Sequence, residues 1–282
     1  MLDIQYNEDM FIIDETAMTV ALGGIYQLDD RVSWVPAGST GYQPANCYLL
    51  GEGEHRLLVD SGLAIHEQEV IGALTRLLGS AELSIFFTRG EMDCVSNLQS
   101  IATSFPLRRL YTGGVTNPFD AFDDIHRMAL RSRRQQIDQK GEGGDSMART
   151  PEIEILPGRV LEIESPLLRL LPTFWGWDAA SGTIFTSDTF THGVMDAATD
   201  PVVIDDLSTD NTTPAQVRAH LLAKYEWIER ASTRQLRDWI ADKFDTLQPE
   251  TIAPSRGRML RGRDVVKQHV EYLLDALAPA DD

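Results

Sequence analysis

The run Leu83-Ser84-Ile85-Phe86-Phe87 and the stretch after it, Thr88-Arg89-Gly90-Glu91-Met92-Asp93-Cys94-Val95-Ser96-Asn97, constrain the fold most. A short apolar run bounded by polar and turn-forming residues reads as a buried strand. It breaks at a glycine, presents two carboxylates and a thiol, and then enters a helix. Residues just past the carboxyl end of a strand line the active sites of open α/β sheets, so this stretch has the character of a site rim.

The flanking sequence continues the alternation of strand and helix. Val70, Ala73, Leu74, Leu77 and Leu78 recur at helical spacing, so residues 67 to 79 are expected to form an amphipathic helix closed by Gly79. A second helix should run through Leu98 and Ile101, and a strand should follow at Arg109-Leu110-Tyr111-Thr112. Such alternation predicts a sheet layered by helices. Upstream, short strands are expected at Phe11–Ile13, Thr19–Leu22, Ile25–Leu28, Val32–Val35, Cys47–Leu50 and Arg56–Gly62, with Gly51-Glu52-Gly53-Glu54 as a hairpin turn. Glu152–Leu156 and Arg159–Ile163 alternate as a half-buried strand pair does. Further on, Thr213 with Pro214 predicts a capped helix carrying Val217, Leu221, Tyr225 and Ile228 on one face. Another helix carries Leu236, Trp239, Ile240 and Phe244, and a closing helix begins at Asp264.

Residues 118 to 150 break the pattern and read as a variable insertion. The stretch Asp123–Gln136 is expected to be a polar helix, and Gly141-Glu142-Gly143-Gly144-Asp145-Ser146 a flexible tip. Its basic trio Arg131, Arg133 and Arg134 reads as a solvated face or as a contact for an anionic ligand. The chain as a whole is acidic, with a net charge of −18. That field argues against a nucleic-acid partner. No apolar run approaches the roughly 18 residues of a membrane span. The start of the chain lacks the basic-then-apolar order of a secretion signal, and two cysteines make no disulfide framework, so the expected compartment is the cytoplasm.

Several ordered motifs together resemble the metallo-β-lactamase fold, in the variant of flavodiiron proteins and single-domain oxygen-binding di-iron (ODP-type) proteins. Asn46-Cys47-Tyr48-Leu49-Leu50 with Leu57-Leu58-Val59-Asp60-Ser61-Gly62 is similar to the pair of strands that opens the fold. Thr88, Glu91, Asp93 and Asn97 fall on that variant's metal loop. Glu164-Ser165-Pro166-Leu167-Leu168-Arg169, the aromatic strand Phe174-Trp175-Gly176-Trp177, and Phe185-Thr186-Ser187-Asp188-Thr189-Phe190 resemble its middle stretch. Thr251-Ile252-Ala253-Pro254-Ser255-Arg256-Gly257 resembles its last metal motif.

The resemblance implies an α/β architecture, a metallo-β-lactamase-like αββα sandwich of two mixed sheets flanked by helices, formed as one domain over residues 1–282. No flavodoxin-like stretch follows the closing helix, so no FMN site is implied. Pairing of two copies is expected by resemblance only.

By the same resemblance the metal-site positions are Arg89, Glu91, Asp93, Cys94, Arg169, Asp188 and Arg256. Asp60 and His192 stand behind them; His192 matches a family histidine that is not a ligand. All three acidic positions keep a carboxylate, while three histidine positions hold arginine and the fourth holds cysteine. A guanidinium has no available lone pair and stays charged at any working pH, so it cannot replace imidazole as a ligand. Three arginines do bring the positive charge that three carboxylates need once cations are gone. A metal-free sensing or binding module, with a small anionic or oxidant ligand, is therefore the first reading.

The alternative is an atypical enzyme: a non-heme iron oxidoreductase, or a metallo-hydrolase. It would use one iron, manganese or zinc ion held by Glu91, Asp93, Cys94 and Asp188, with His126 or His192 adding an imidazole. Cys94 reads either as a reactive thiol or as filler for the space of a histidine. Cys47 reads as packing. Phe174, Trp175, Trp177 and Phe190 read as core or as the wall of a ligand pocket.

Overall fold

The computed structural model describes residues 10–113, 126–130, 152–169 and 171–278. They divide into two compact units: Met1–Gly24 with Ala45–Ser181, and Ile25–Pro44 with Gly182–Asp282.

The first unit is built on a mixed sheet with strand order β1-β2-β3-β4-β5-β6-β7. These are β1 (Met10–Asp14), β2 (Thr19–Gln27), β3 (Tyr42–Leu50), β4 (His55–Val59), β5 (Glu82–Phe86), β6 (Leu107–Gly113) and β7 (His126–Leu130). The tips of β2 and β3 are counted with the second unit. β3 and β4 form the antiparallel hairpin expected from the Gly-Glu-Gly-Glu turn. From β4 to β7 each pair is parallel.

Helix α1 (Glu67–Leu78) connects β4 to β5, while α2 (Met92–Val95) and α3 (Leu98–Ser104) connect β5 to β6. Period-two alternation turns Cys47, Leu49, Leu58, Leu83, Ile85 and Leu110 toward one layer, where they share a core with Val70, Ala73, Leu74 and Leu77 of α1 and with Leu98 and Ile101 of α3. Cys47 is thus a packing residue. The alternate residues Tyr48, Leu50, Leu57, Val59 and Phe86 are equally buried, which explains why β3 to β5 read as continuous apolar runs. The strands β8 (Glu152–Leu156), β9 (Arg159–Glu164) and β10 (Trp175–Asp178) add an antiparallel meander, with β8 lying near β4.

In the second unit the order is β12-β14-β13-β11, formed by β11 (Thr183–Ser187), β12 (Val203–Ile204), β13 (Thr251–Pro254) and β14 (Met259–Arg261). β11 and β13 run parallel. Helices α4 (Pro214–Lys224), α5 (Arg234–Leu247) and α6 (Arg263–Ala276) flank them, α6 lying against α4, α5 and β14. Thr213 caps α4 in a reciprocal box with Gln216. Val217, Leu221, Tyr225 and Ile228 are all buried as expected, although the α-helix stops at Lys224 and tightens into a 3-10 turn over Glu226–Arg230.

Three local expectations are corrected. His126–Leu130 forms a strand pairing with β6, not part of a polar helix. A place beside a preformed edge outweighs weak helical propensity. The rest of Asp123–Gln136, the glycine-rich tip and the basic trio Arg131, Arg133 and Arg134 lie outside the described residues. Val32–Val35 is turn and not strand. Thr19–Leu22 and Ile25–Leu28 are expected as separate strands, but the chain runs as one strand to Gln27, through Gly23 and Gly24. A Cβ at Gly23 would lie 1.9 Å from the Ala45 carbonyl oxygen, so the glycine permits close approach of two strands where it reads as a turn.

Candidate functional site

In the first unit, the loop after β5 is held by backbone bonds from both sides. The Phe87 N–H donates to Tyr111 O, the Phe174 N–H to Thr88 O, and the Asp60 N–H to Phe86 O. The loop after β4 then clamps α2. The Ser61 N–H and hydroxyl both donate to the Cys94 carbonyl, and the Asn97 side-chain amide donates to the carbonyls of Ser61 and Leu63. Asp60 sits in a left-handed conformation, φ 60°, that brings its carboxylate under Thr88. It accepts the Thr88 N–H and hydroxyl, each at 2.8 Å.

This frame fixes a buried charge cluster. Arg89 is 2% exposed, and its guanidinium is shared by two carboxylates of its own loop. Nε donates to Glu91 at 2.5 Å, and a terminal nitrogen pairs with Asp93. Glu91 is partly open to solvent, whereas Asp93 is buried with the arginine. Burial pushes the Asp60 carboxyl up to about 7, against the Thr88 amide, the Arg89 charge and the Thr88 hydroxyl, which all pull it down. The Cys94 thiol, 3.6 Å from the Thr88 hydroxyl, is driven well above its ordinary value by burial first and by the Asp60 and Asp93 charges besides, although Arg89 opposes this. Burial and a raised thiol disfavour the nucleophilic thiolate, which fits the reading of Cys94 as filler. Half-buried Arg169, on the loop after β9, donates to the Ser165 hydroxyl at 2.7 Å and the Pro166 carbonyl at 2.5 Å.

In the second unit, Asp188 follows β11 and Arg256 follows β13, so both lie past the carboxyl ends of parallel strands. The Ser255 N–H and hydroxyl donate to Ser187 O and tie the two loops together. Asp188 is 5% exposed and engaged by two residues that sequence reasoning missed. Lys224 forms an ion pair with it, and the Tyr225 hydroxyl donates to it at 3.2 Å. The signal was available only in part: a lysine in the last turn of a capped helix, next to a tyrosine of its apolar face.

Arg256, also buried, stacks its guanidinium 4.4 Å from the centre of the Trp34 ring. Trp34 is held by the Tyr26 hydroxyl, which donates to Gln43. His192 belongs to a different cluster, with Nε2 2.8 Å from His269 Nδ1, and His269 Nε2 lies 3.0 Å from Asp210. Phe174, Trp175 and Phe190 are buried, and Trp177 is half-buried.

A pair of metal ions fits these residues poorly. Arg89, Arg169 and Arg256 offer no lone pair. Asp93 and Glu91 are engaged by Arg89, Asp188 by Lys224, and the Cys94 thiol is held protonated. Among the described residues, no group of three or more His, Cys, Asp or Glu side chains is placed to hold an ion. The His126 side chain lies outside the described residues, and His192 is turned to His269.

The chain has a metallo-β-lactamase-like α/β fold of two mixed sheets with flanking helices, shared with flavodiiron proteins and the ODP chemotaxis sensor. Rubredoxin oxygen:oxidoreductase of Desulfovibrio gigas superposes with a TM-score of 0.59 at 14% identity, covering 91% of this chain and 59% of its own. The chain therefore spans little more than half the length of that neighbour. A putative diflavin flavoprotein fragment from Nostoc sp. PCC 7120 gives 0.61 at 12% identity, covering 92% and 91%. The apo chemotaxis sensor ODP from T. denticola gives 0.57 at 16%, covering 90% and 94%. No family model and no curated protein matches the sequence. No described helix is long and apolar enough to cross a membrane.

Proposed function

We propose that the chain is a metal-free relative of the flavodiiron and ODP proteins that acts as a sensing or binding module, not as a di-iron or di-zinc enzyme. The observation that carries this is the Arg89 guanidinium seated between Glu91 and Asp93 in the loop that resembles the family's metal loop. Asp188 is likewise met by a protein cation, Lys224. Side-chain cations thus stand where carboxylates would otherwise require inorganic ones, and each added positive charge lowers the affinity for a metal. A neighbour described as a chemotaxis sensor makes sensing the favoured role, with a small anionic or oxidant ligand. One domain over residues 1–282, pairing of two copies and a cytoplasmic home belong to the same proposal.

The test is elemental analysis with calorimetric titration of iron, manganese and zinc. The wild-type chain should bind none stoichiometrically. The fourfold variant Arg89→His, Cys94→His, Arg169→His and Arg256→His should gain uptake of about one or two ions, the count that di-metal sites of this kind hold. One or two ions bound tightly by the wild type would overturn the proposal.

A further inference from the structure

Three of the chain's six histidines meet in the second unit, far in sequence from one another. His192 lies in the loop after β11, His269 on α6 and His220 on α4. Asp210, in the segment before α4, faces them. The rings of His192 and His269 are within 8° of parallel, and their facing nitrogens are 2.8 Å apart. His192 and His269 are buried, and His220 is half-buried with Nδ1 shielded from solvent and without a hydrogen-bond partner among the described residues.

The charged and titratable groups around the cluster come from each packed element. Asp210 receives His269 and the Thr212 N–H, Arg258 in the turn after β13 interacts with the Asp210 charge, and Tyr272 of α6 contacts the His269 ring. The Phe190 ring lies 6.3 Å from that of His192 and packs edge-on with Phe244. Asp210 therefore acts on two of the three imidazoles, His269 directly and His192 through its charge, while burial alone shifts His220.

Proton arithmetic limits what this arrangement tolerates. With Asp210 ionised, His269 donates through Nε2 and accepts at Nδ1, and His192 donates to it. One added proton is absorbed, because an imidazolium at His269 is flanked by the carboxylate and by a neutral His192 that changes tautomer. A proton on both rings sets two N–H groups against each other across 2.8 Å. A proton on His220 adds a third cation beside them.

The loop that His192 anchors is not relaxed by itself. Ser187 and Phe190 hold left-handed conformations, φ 55° and 64°, that side-chain-bearing residues rarely adopt. The same loop carries Asp188, and α4 meets it twice: Lys224 pairs with Asp188, and one turn earlier His220 interacts with His192.

We propose that His192, His269, His220 and Asp210 form a proton-operated latch that holds the Ser187–Gly193 loop closed near neutral pH and releases it, together with Asp188, on acidification. The sign follows from burial, which pulls His192 well below its ordinary value and His220 down to about 4. The opened loop exposes imidazoles that protonate near about 6.5, so acid below that pH favours the open form. This holds whether or not the site ever binds a metal.

Amide hydrogen exchange of the intact chain from pH about 7.5 to 5, corrected for intrinsic rates, tests it across the range in which histidine titrates. The opening constant of residues 187 to 193 should rise about ten-fold per pH unit for each proton taken up. The β5 segment Glu82–Phe86 should stay flat. His220→Gln should remove one proton from the dependence. A wild-type loop whose opening ignores pH overturns the latch, as does an unchanged slope in His220→Gln. Should that variant fail to fold, the imidazole resonances of the wild type decide: His192 and His220 must titrate together with loop opening. Titration near about 6.5 with the loop still protected overturns the proposal equally.

Discussion

The Arg89 cluster of the first unit and the Asp188–His192 region of the second both bury charge, but they neutralise it over different distances along the chain. Arg89 finds Glu91 two residues away and Asp93 four residues away, in a loop that runs straight into its own short helix. Asp188 waits for Tyr225 thirty-seven residues later, His192 for His269 seventy-seven later, and His269 reaches back fifty-nine residues to Asp210. A local pair assembles as its loop closes, whereas a distant one exists only once several elements have packed. The two regions also answer acid in opposite senses. Asp60, with its carboxyl raised, favours the folded state at low pH, and the depressed histidines favour it at high pH.

The largest expected effect is at Arg89. Replacing it with Met removes the guanidinium that pairs with the buried Asp93 carboxylate, and chemical denaturation near neutral pH should show a loss of about 3 to 5 kcal/mol. A loss below about 1 kcal/mol, the scale of exposed pairs, would mean that water reaches Asp93 and that the cluster is not dry. Lys224→Met should cost somewhat less, about 3 kcal/mol, because the Tyr225 hydroxyl still serves Asp188. Equal costs at both positions would mean that the Tyr225 hydroxyl does not offset the loss of Lys224.

Per pH unit, the smallest effect is a slope. Since the Asp60 carboxyl titrates at about 7 in the folded chain against 3.8 ordinarily, its proton stabilises the fold at low pH, and that contribution is lost as pH rises from about 4 to about 7. Asp60→Asn should therefore flatten the stability-versus-pH curve in that window by up to about 1.4 kcal/mol per pH unit and leave the acid side of the histidine effect in place. An unchanged slope in urea denaturation across that range would place the carboxylate in contact with water.

Much of the frame was legible because its signals are periodic. The apolar faces of α1 and α5, the hairpin between β3 and β4, and the capped start of α4 follow from spacing and turn chemistry. What misled was chemistry with two meanings. Gly23 and Gly24 are turn residues by composition, yet Gly23 lets β2 pass close to Ala45 of its neighbour and Gly24 makes room for the His66 ring. His126–Leu130 has no strong strand signal and becomes a strand by pairing with β6. That Arg89, Arg169 and Arg256 carry guanidinium groups was visible residue by residue. Lys224 as the partner of Asp188, and Trp34 as the platform for Arg256, were not, because neither motif marks its partner in the sequence.

By itself the sequence determined the alternation of strands and helices and the kind of donor each site position can supply, since side-chain chemistry and hydrophobic period travel with the residue. Only the tertiary structure decided which cation meets which carboxylate, that Cys94 is sealed from water, and that three distant histidines gather with one aspartate against two of them. Pairing, burial and proton affinity depend on neighbours that packing supplies, and those neighbours lie dozens of residues away along the chain.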